Sequence, residues 1–324
     1  MNDEVIEISN QNLLPSKPIL SVLMITYNHE KYIAQALDGV LSQETSFPFE
    51  IVIGEDCSTD NTREVIRSYQ NKYPEKIRLL ISEKNVGANK NFARAYANCK
   101  GGYIALCDGD DYWDDDSKLQ KQLSVLLVNS GAVVAYHDVV LLSSLHSGNA
   151  ITLLTASGKL GYSCEHLSKY EFLPTLTMLF RKVLKDLPEE FFKVTNADTF
   201  IISMLGAYGS AIYVADIRPA VYREHEGGIW SGIPDHIKKF KSIETFYWLS
   251  GYYNRVGNSN LANHFIFAAM VHMLSTVAVE KVLLLKFFLN NYFVRIYEIY
   301  LRIKRIGGVI KGKGRMSAGV RQHK

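Results

Sequence analysis

Short apolar runs alternate with amphipathic segments along roughly the first 140 residues of the chain. The runs are Pro18–Thr26, Phe49–Ile53, Ile77–Ile81, Tyr103–Cys107 and Val133–Leu141. Continuous apolar runs of this length predict strands that are buried on both faces, as in a parallel sheet. The first four recur at intervals of about 26 residues, which suits strand–helix–strand units. The pattern therefore predicts an α/β fold with a doubly wound, mostly parallel sheet.

Helical spacing of apolar residues marks the segments between these runs. We expect helices over Lys31–Leu41, Thr62–Tyr73 and Asn89–Cys99, and a further helix around Leu119–Leu127. Residues 143–168 are rich in Ser and Gly and weakly patterned, which predicts a loop. Beyond this loop we expect a strand, a helix and a short strand, over Leu173–Arg181, Asp198–Tyr208 and Ala211–Ala215. From His236 onward the pattern predicts a C-terminal helical region.

The length and composition suit a folded chain with a sizeable core. Its 324 residues allow one large domain or two of ordinary size. Hydrophobic residues make up 47% and charged residues 21%, which excludes general disorder. We expect an N-terminal extension over residues 1–17 and one α/β domain over 18–235. A helical region over 236–300 and a basic tail over 301–324 would follow.

The net charge of +3 is unevenly distributed along the chain. Residues 301–324 contain eight Lys or Arg and no Asp or Glu, which leaves a net charge of −5 on the rest. A basic tail that follows amphipathic helices predicts contact with an anionic membrane surface. A solvated tail and self-association are the alternatives. The sequence has no nucleic-acid recognition module, so nucleic acid is not an expected partner.

Cysteine usage and the N-terminus both bear on the cellular compartment. The four cysteines form no CxxC pair, so neither a zinc site nor a disulfide framework is expected. The acidic segment Met1–Ser9 lacks the apolar core of a signal peptide. The stretch Phe265–Leu289 is interrupted by Glu280, Lys281 and Lys286. Its best uninterrupted part, Phe265–Val279, is short of the roughly 20 residues that a membrane-spanning helix needs. We therefore expect a cytoplasmic protein, peripheral on the inner face of the membrane.

Polar side chains follow each of the first four predicted strands. They lie at residues 26–30, 54–58, 85–87 and 108–113. In an open parallel sheet the ligand binds beyond the carboxyl ends of the strands, so these groups predict a common site. The segment after the first strand has no glycine and no GxGxxG, which argues against a dinucleotide site. The chain also lacks a GxxxxGK[ST] phosphate loop and a GxSxG nucleophile elbow.

The segment Asp108-Gly109-Asp110 is a candidate metal site. Two carboxylates at the mouth of a parallel sheet can hold Mg²⁺ or Mn²⁺, and such a cation neutralises a diphosphate leaving group. The alternative is a solvated acidic loop. The acids Asp114–Asp116 are better explained as favourable charges at a helix N-terminus.

These ordered motifs resemble the nucleotide-sugar domain of inverting family 2 glycosyltransferases, which have the GT-A fold. The similarity is dense over residues 18–128 and sparser at 196–198 and 220–228. It implies a metal-dependent, inverting transfer of a sugar, hexosyl or N-acetylhexosaminyl, from a nucleoside-diphosphate donor. The donor is most often UDP-linked. The acceptor would be a hydroxyl of a glycan or lipid-linked glycan, as in surface polysaccharide synthesis.

The resemblance also implies a role for particular residues. Asp56 would accept a hydrogen bond from the base, Asp108 would meet the ribose or the metal, and Asp198 would be the catalytic base. The nucleotide-contacting positions are Thr26, Tyr27, Asn28, Glu30, Asp56, Asn85 and Asp108. The metal-binding positions are Asp110, Asp108 and His225. Strand-end turn chemistry is the alternative for Thr26 and Asn28. For Asp198 the alternative is a helix N-cap, and it follows Asn196-Ala197 where many relatives place an acid or a glycine.

The sequence leaves two alternative roles for several other polar and aromatic residues. Arg223 would contact phosphate or sugar, or form a structural ion pair. Trp113 and Trp230 would stack on a sugar ring or pack in the core, with Trp113 expected beneath the metal loop. The histidines without a supporting pattern are taken as structural; they are His29, His137 and His166.

Two other functions compete with sugar transfer. One is a non-catalytic sugar-nucleotide or glycan-binding subunit, which the full set of metal and base residues opposes. The other is a nucleotidyltransferase, which would need a basic, glycine-rich loop where residues 27–30 stand.

Overall fold

The computed structural model describes residues 6–143, 151–230 and 232–277. The strands are β1 (Ile6–Ile8), β2 (Leu20–Thr26), β3 (Phe49–Glu55), β4 (Ile77–Ile81), β5 (Tyr103–Leu106), β6 (Ala132–Tyr136), β7 (Val139–Ser143), β8 (Ile151–Thr152), β9 (Leu179–Arg181), β10 (Ser210–Tyr213) and β11 (Ala220–Glu224). The α-helices are α1 (Ile33–Leu41), α2 (Thr62–Lys72), α3 (Ala88–Asn98), α4 (Lys118–Val128), α5 (Cys164–Ser168), α6 (Ala197–Leu205), α7 (Asp235–Arg255) and α8 (Ser259–Val277). Short 3₁₀ helices cover Ser157–Leu160, Thr175–Thr177 and Glu189–Lys193.

The main sheet has eight strands in the order β1-β4-β3-β2-β5-β9-β6-β10. Strands β4, β3, β2 and β5 run parallel, as predicted. Strand β9 is antiparallel to both of its neighbours, and β1 is antiparallel to β4. The strand order reverses between β2 and β5, and ligands bind at this kind of switch point in open α/β sheets. The mostly parallel α/β class is confirmed.

The central strands are buried on both faces. Every residue of β3 and β4 is buried, and so is every residue of β2 except Ile25. Helix α1 contributes Ile33, Leu37 and Val40 to the same core. Burial of such continuous apolar runs explains why the sequence located these strands to within two residues.

The predicted strand over Val133–Leu141 is wrong, because it is two strands in different sheets. Strand β6 stays in the main sheet, whereas β7 pairs in parallel with β11 and antiparallel with β8. The break falls at His137-Asp138, where Asp138 Oδ2 accepts hydrogen bonds from Lys159 Nζ at 2.6 Å and the Tyr213 hydroxyl at 2.8 Å. A partly buried acid with two donors turns the chain within a segment that its apolar residues predicted as one strand.

Three further segments differ from expectation. Of the predicted strand Leu173–Arg181, only the last three residues form β9. The predicted loop over residues 143–168 contains β8, a 3₁₀ helix and α5 within its described part. Strand β11 was not predicted, and a bridge between Val221 and Tyr112 brings it beside the loop that follows β5.

The predicted C-terminal helices are present as α7 and the described part of α8. Ring stacking of Tyr253 on Phe265, at 5.7 Å between centroids, packs α7 against α8. The chain divides into compact units at residues 1–269 and 270–324, and residues 270–277 are the described part of the second. None of the helices in the described ranges is long and apolar enough to cross a membrane. The basic tail over 301–324 lies outside the described residues.

Candidate active site

The loop that follows β5 is pressed against the end of β2. The Gly109 N–H donates to the Ile25 carbonyl at 3.0 Å. A Cβ at Gly109 would lie 2.6 Å from Thr26 Oγ1 and 3.0 Å from His29 Nδ1. Contacts that close leave room for glycine alone, so the residue between the two aspartates sets how near the loop approaches β2. Asp108 and Asp110 are thereby held beside residues 26–29.

Two imidazoles converge on one oxygen of Asp110. Its Oδ2 lies 3.2 Å from His225 Nε2 and 3.6 Å from His29 Nε2. Burial raises the pKa of Asp110, but the hydrogen bond with His225 and the charge of His29 outweigh burial and lower it. Burial lowers the pKa of His29, and the opposing charge of Asp110 offsets only part of that effect. The lowered pKa favours the ionised form of Asp110.

His29 is the site residue that sequence reasoning missed. The motif placed it in the loop after the first strand, yet as a lone histidine it was taken as structural. Its position three residues beyond Thr26, at the carboxyl end of a central strand, was the signal available.

Negative charge accumulates around Asp110. Burial and the charge of Asp110 raise the pKa of Asp108 to about 7. The same two causes raise the pKa of Asp111 well above its usual range, although its Oδ1 accepts the Arg223 backbone N–H at 2.9 Å. Three adjacent carboxylates in a poorly solvated loop repel one another, so this loop is electrostatically suited to receive a cation.

Arg223, on β11, contacts the loop at residues 108–111. Its Nη1 donates to the Asp110 carbonyl at 2.6 Å, and its Nη2 donates to Gln35 Oε1. The guanidinium lies 4.5 Å from the Tyr112 ring centroid and 5.2 Å from that of Tyr32. These contacts give Arg223 a supporting role at Asp110, through a carbonyl and two rings rather than through a carboxylate.

The donor atoms in this loop fit a divalent cation. Across the described ranges, no three His, Cys, Asp or Glu side chains are already arranged as a metal cage. Asp110 is paired directly with the imidazoles instead. Carboxylate oxygens with imidazole nitrogens are nevertheless a donor set for Mn²⁺ or Mg²⁺ when substrate phosphates complete the coordination. The surplus of carboxylates supplies the charge that such a cation would neutralise.

Asp56 and Asn85 follow the ends of β3 and β4, which lie on the side of β2 away from β5. Asp56 is 2% exposed, and its two oxygens accept the Val86 and Gly87 N–H groups at 2.9 Å each. The Asn85 Oδ1 also accepts the Gly87 N–H, at 3.1 Å. The fold thus uses both side chains to shape the turn at residues 85–87.

The segment after β2 is tied to residues 58–62. Asn28, at φ +56°, accepts the Thr59 N–H at 2.8 Å, and Glu30 Oε2 accepts the Asn61 N–H at 2.9 Å. Asn tolerates this left-handed backbone better than most residues. Tyr27 is 40% exposed, so its ring is free to meet a ligand. The buried Thr26 hydroxyl has no hydrogen-bond partner among the described residues.

Asp198 is the second residue of α6, whose N-cap position is Asn196, so the N-cap alternative is wrong. Its Oδ1 accepts the Thr199 N–H at 2.7 Å, and burial raises the pKa of its carboxyl. Its negative charge contributes to the raised pKa of Asp108, which puts Asp198 within electrostatic reach of the metal loop.

The remaining candidates lie in the core or on the surface. Trp113 is buried, donates from Nε1 to the Leu176 carbonyl at 2.8 Å and carries Lys118 Nζ 4.0 Å from its ring centroid, so it packs beneath the loop as expected. His137 is 1% exposed in the core, whereas His166 is exposed. Trp230 is half-buried.

Comparison with known proteins identifies the class. Residues 21–187 match the model of glycosyl transferase family 2, and the chain belongs to this family. It is 32% identical over 223 residues to the uncharacterized protein Rv1520 of Mycobacterium tuberculosis, covering 68% of this chain and 63% of that one. It is 39% identical over 117 residues to the putative teichuronic acid biosynthesis glycosyltransferase TuaG of Bacillus subtilis, covering 36% and 45%. The chain thus spans less than two thirds of these relatives.

Solved structures share the fold. Residues 1–349 of Staphylococcus aureus TarS, in complex with UDP-GlcNAc, align with a TM-score of 0.52 at 22% identity, over 73% of this chain and 72% of that one. The mannosyltransferase PcManGT of Pyrobaculum calidifontis, in complex with GDP-Man and Mn²⁺, aligns with a TM-score of 0.51 at 15% identity, over 88% and 83%. The expected GT-A architecture is confirmed.

Proposed function

We propose that this glycosyltransferase is metal-dependent and inverting, and that its donor is a UDP-sugar of the hexosyl or N-acetylhexosaminyl type. The observation that carries this proposal is the placement of Asp110, with two imidazoles on one oxygen, beside a loop within electrostatic reach of Asp198. A cation-binding carboxylate and a separate buried carboxylate are the two parts that such a transfer requires.

The nucleotide would lie along the carboxyl ends of β2, β3 and β4. Tyr27 offers an exposed ring for the base, and Asp56 and Asn85 form the wall of the turn at residues 85–87. Thr26, Asn28 and Glu30 would shape the same surface from the other side. The UDP-GlcNAc bound in TarS supports a uridine nucleotide, whereas the GDP-Man in PcManGT makes guanosine the alternative.

The diphosphate would lie against the metal loop. Asp110, Asp108 and His225 would hold Mg²⁺ or Mn²⁺, which supplies neutralisation of the leaving diphosphate. Arg223 and Gly109 hold these donors in place through the Asp110 carbonyl and the end of β2. Because these contacts would hold the metal-binding side chains in place before the substrate binds, little reorganisation is needed as charge develops on the leaving group.

Asp198 would act as the general base. As the acceptor oxygen bonds to the anomeric carbon, the carboxylate takes the hydroxyl proton, and the bond to the diphosphate oxygen breaks on the opposite face. The new glycosidic bond therefore has inverted configuration. A pKa raised by burial strengthens Asp198 as a base, because an effective base has a pKa near the working pH.

The acceptor would be a glycan or lipid-linked glycan of surface polysaccharide synthesis. The teichuronic acid assignment of TuaG and the poly(ribitol-phosphate) acceptor in the name of TarS support this class. The helical region over 236–300 and the basic tail over 301–324 would bring the domain over 18–235 to an anionic membrane surface, on the cytoplasmic side. Nucleic acid is not part of the proposal.

UDP release with Mn²⁺ tests the proposal directly. We would assay the full chain with a panel of UDP- and GDP-sugars, with and without EDTA and without acceptor. Slow, EDTA-sensitive hydrolysis of one UDP-sugar is expected. Hydrolysis that EDTA leaves unchanged would contradict metal dependence. Metal-dependent UDP binding without turnover would favour the binding-subunit alternative if adding candidate acceptors also fails to produce transfer.

A further inference from the structure

Asp110 Oδ2 faces a second imidazole that the metal-binding positions expected from the sequence do not include. The His29 Nε2 approaches to 3.6 Å from the end of β2, and the His225 Nε2 approaches to 3.2 Å from the end of β11. The two rings stand edge to face, at 88° with 6.2 Å between centroids. One imidazole nitrogen follows a strand of the main sheet and the other follows a strand of the three-stranded sheet. Both therefore face the same carboxylate oxygen.

The surroundings of His29 fix which ring nitrogen faces Asp110. The Nδ1 edge lies against Gly109, where an added Cβ would be 3.0 Å away, so the Nε2 edge is turned to the carboxylate. The backbone N–H of His29 donates to Thr62 Oγ1 at 2.7 Å, which anchors the residue independently of its ring. The side chain is 14% exposed, so little of the ring is left to solvent. This orientation serves Asp110, not the packing of the core.

We propose that His29 is a second nitrogen donor to the divalent cation, beside His225 and Asp110, and that this donor set selects Mn²⁺ over Mg²⁺. The inference rests on the proposed metal dependence and adds a residue and a selectivity to it. Imidazole is a good ligand for first-row transition metals, whereas Mg²⁺ prefers oxygen ligands and gives up its water reluctantly. Adding a second imidazole nitrogen to the carboxylate oxygens of Asp110 and Asp108 therefore makes the site better suited to Mn²⁺ than to Mg²⁺.

Electron paramagnetic resonance of Mn²⁺ gives a readout independent of turnover. The full chain is titrated with Mn²⁺, alone and with UDP, and bound metal is measured from the loss of the free-ion signal. Pulsed measurements then report nitrogen coupling to bound Mn²⁺. We expect coupling from two imidazoles in the wild type and from one in His29→Gln. Mn²⁺ affinity should fall by about tenfold or more, since even outer ligands contribute that much.

Competition by Mg²⁺ measures the selectivity. The ratio of Mg²⁺ to Mn²⁺ dissociation constants should be large in the wild type and should shrink in His29→Gln. His166→Gln is the matched control, because His166 is exposed and the substitution keeps the backbone N–H that donates to Ser163 Oγ at 3.2 Å. His29→Asn is a second variant, and thermal unfolding checks that both variants fold.

The outcomes separate the two proposals. Mn²⁺ binding with one nitrogen, unchanged in His29→Gln, would overturn the role of His29 and leave the proposed metal dependence standing. A wild-type chain that binds no Mn²⁺, even with UDP, would overturn both. Loss of affinity in His166→Gln as large as in His29→Gln would also overturn the assignment, because the effect would not be specific to the site.

Discussion

The backbone N–H of Arg223 donates to Asp111 Oδ1 at 2.9 Å and so joins the three-stranded sheet to the loop that follows β5. Asp111 is 2% exposed, and the negative charge of Asp110 lies beside it. The hydrogen bond requires only an acceptor oxygen on residue 111, whereas a negative charge on Asp111 is unfavourable at this buried position beside Asp110. The two contributions can be separated by substitution.

Asp111→Asn should fold with equal or greater stability, because the amide oxygen still accepts the Arg223 N–H and the buried position disfavours a negative charge on residue 111. Asp111→Ala should lose about 1–3 kcal/mol, since it leaves that N–H without its acceptor. Denaturant unfolding measures both, with the exposed Asp114→Asn as the control. Equal losses in the Asn and Ala variants would show that the charge itself is required.

Asp198→Asn should leave Mn²⁺-dependent UDP binding nearly intact and reduce kcat by about 10²–10⁴, the usual contribution of a general base. The amide keeps an oxygen for the Thr199 N–H but cannot take a proton. Calorimetry and a transfer assay check the two halves of this expectation. Asp216→Asn, at a side chain 73% exposed, is the control. Unchanged turnover would refute the base assignment.

Asp110→Ala should abolish metal-dependent binding of UDP, because the carboxylate that both imidazoles face is removed. Calorimetric titration with UDP, with and without Mn²⁺, measures the effect. The same experiment on Asp114→Ala should give wild-type values. Undiminished metal-dependent binding in Asp110→Ala would place the cation elsewhere.

Gly109→Ala should destabilise the fold by about 1–3 kcal/mol, since its Cβ would lie 2.6 Å from Thr26 Oγ1. Adding Thr26→Ala removes that oxygen and should restore part of the loss. Gly102→Ala is the matched control, because the nearest atom to its Cβ would be 4.0 Å away. Thermal unfolding of all three variants tests the steric argument, and equal losses at Gly102 and Gly109 would contradict it.

The stability of the metal-free protein should depend on Asp108. Its pKa is raised from the ordinary 3.8 to about 7, so the folded state favours the protonated form. That stabilisation is fully present below about pH 4 and is lost as the pH rises toward and through about 7. Stability in EDTA should therefore fall less from about pH 5 to about pH 8 in Asp108→Asn than in the wild type. Equal falls would show that Asp108 titrates normally.

The sequence located the parallel strands because burial on both faces leaves a continuous apolar run. It also placed Asp108, Asp110 and Asp56 at strand ends, where the topology of a parallel sheet collects them. Those predictions needed only the local pattern of apolar residues and the rule that ligands bind beyond the carboxyl ends of parallel strands.

The remaining features depend on tertiary partners. The end of β6 at His137-Asp138 follows from hydrogen bonds with Lys159 and Tyr213, which are distant in sequence. The position of His29 after β2 indicates a place near the site, but its pairing with Asp110 beside His225 depends on β5 and β11. The bonding of Asn28 and Glu30 to residues 58–62 is likewise a contact between two loops.

The parallel pairing of β7 with β11 joins residues 139–143 to residues 220–224. Pairing across so long a stretch of chain carries a large loop-closure cost and forms slowly. A nascent chain can complete β2, β3, β4 and β5 well before residue 225 has left the ribosome. Any folding intermediate with those four strands alone holds Asp110 without His225, so the carboxylate gains its second imidazole only when β11 pairs with β7.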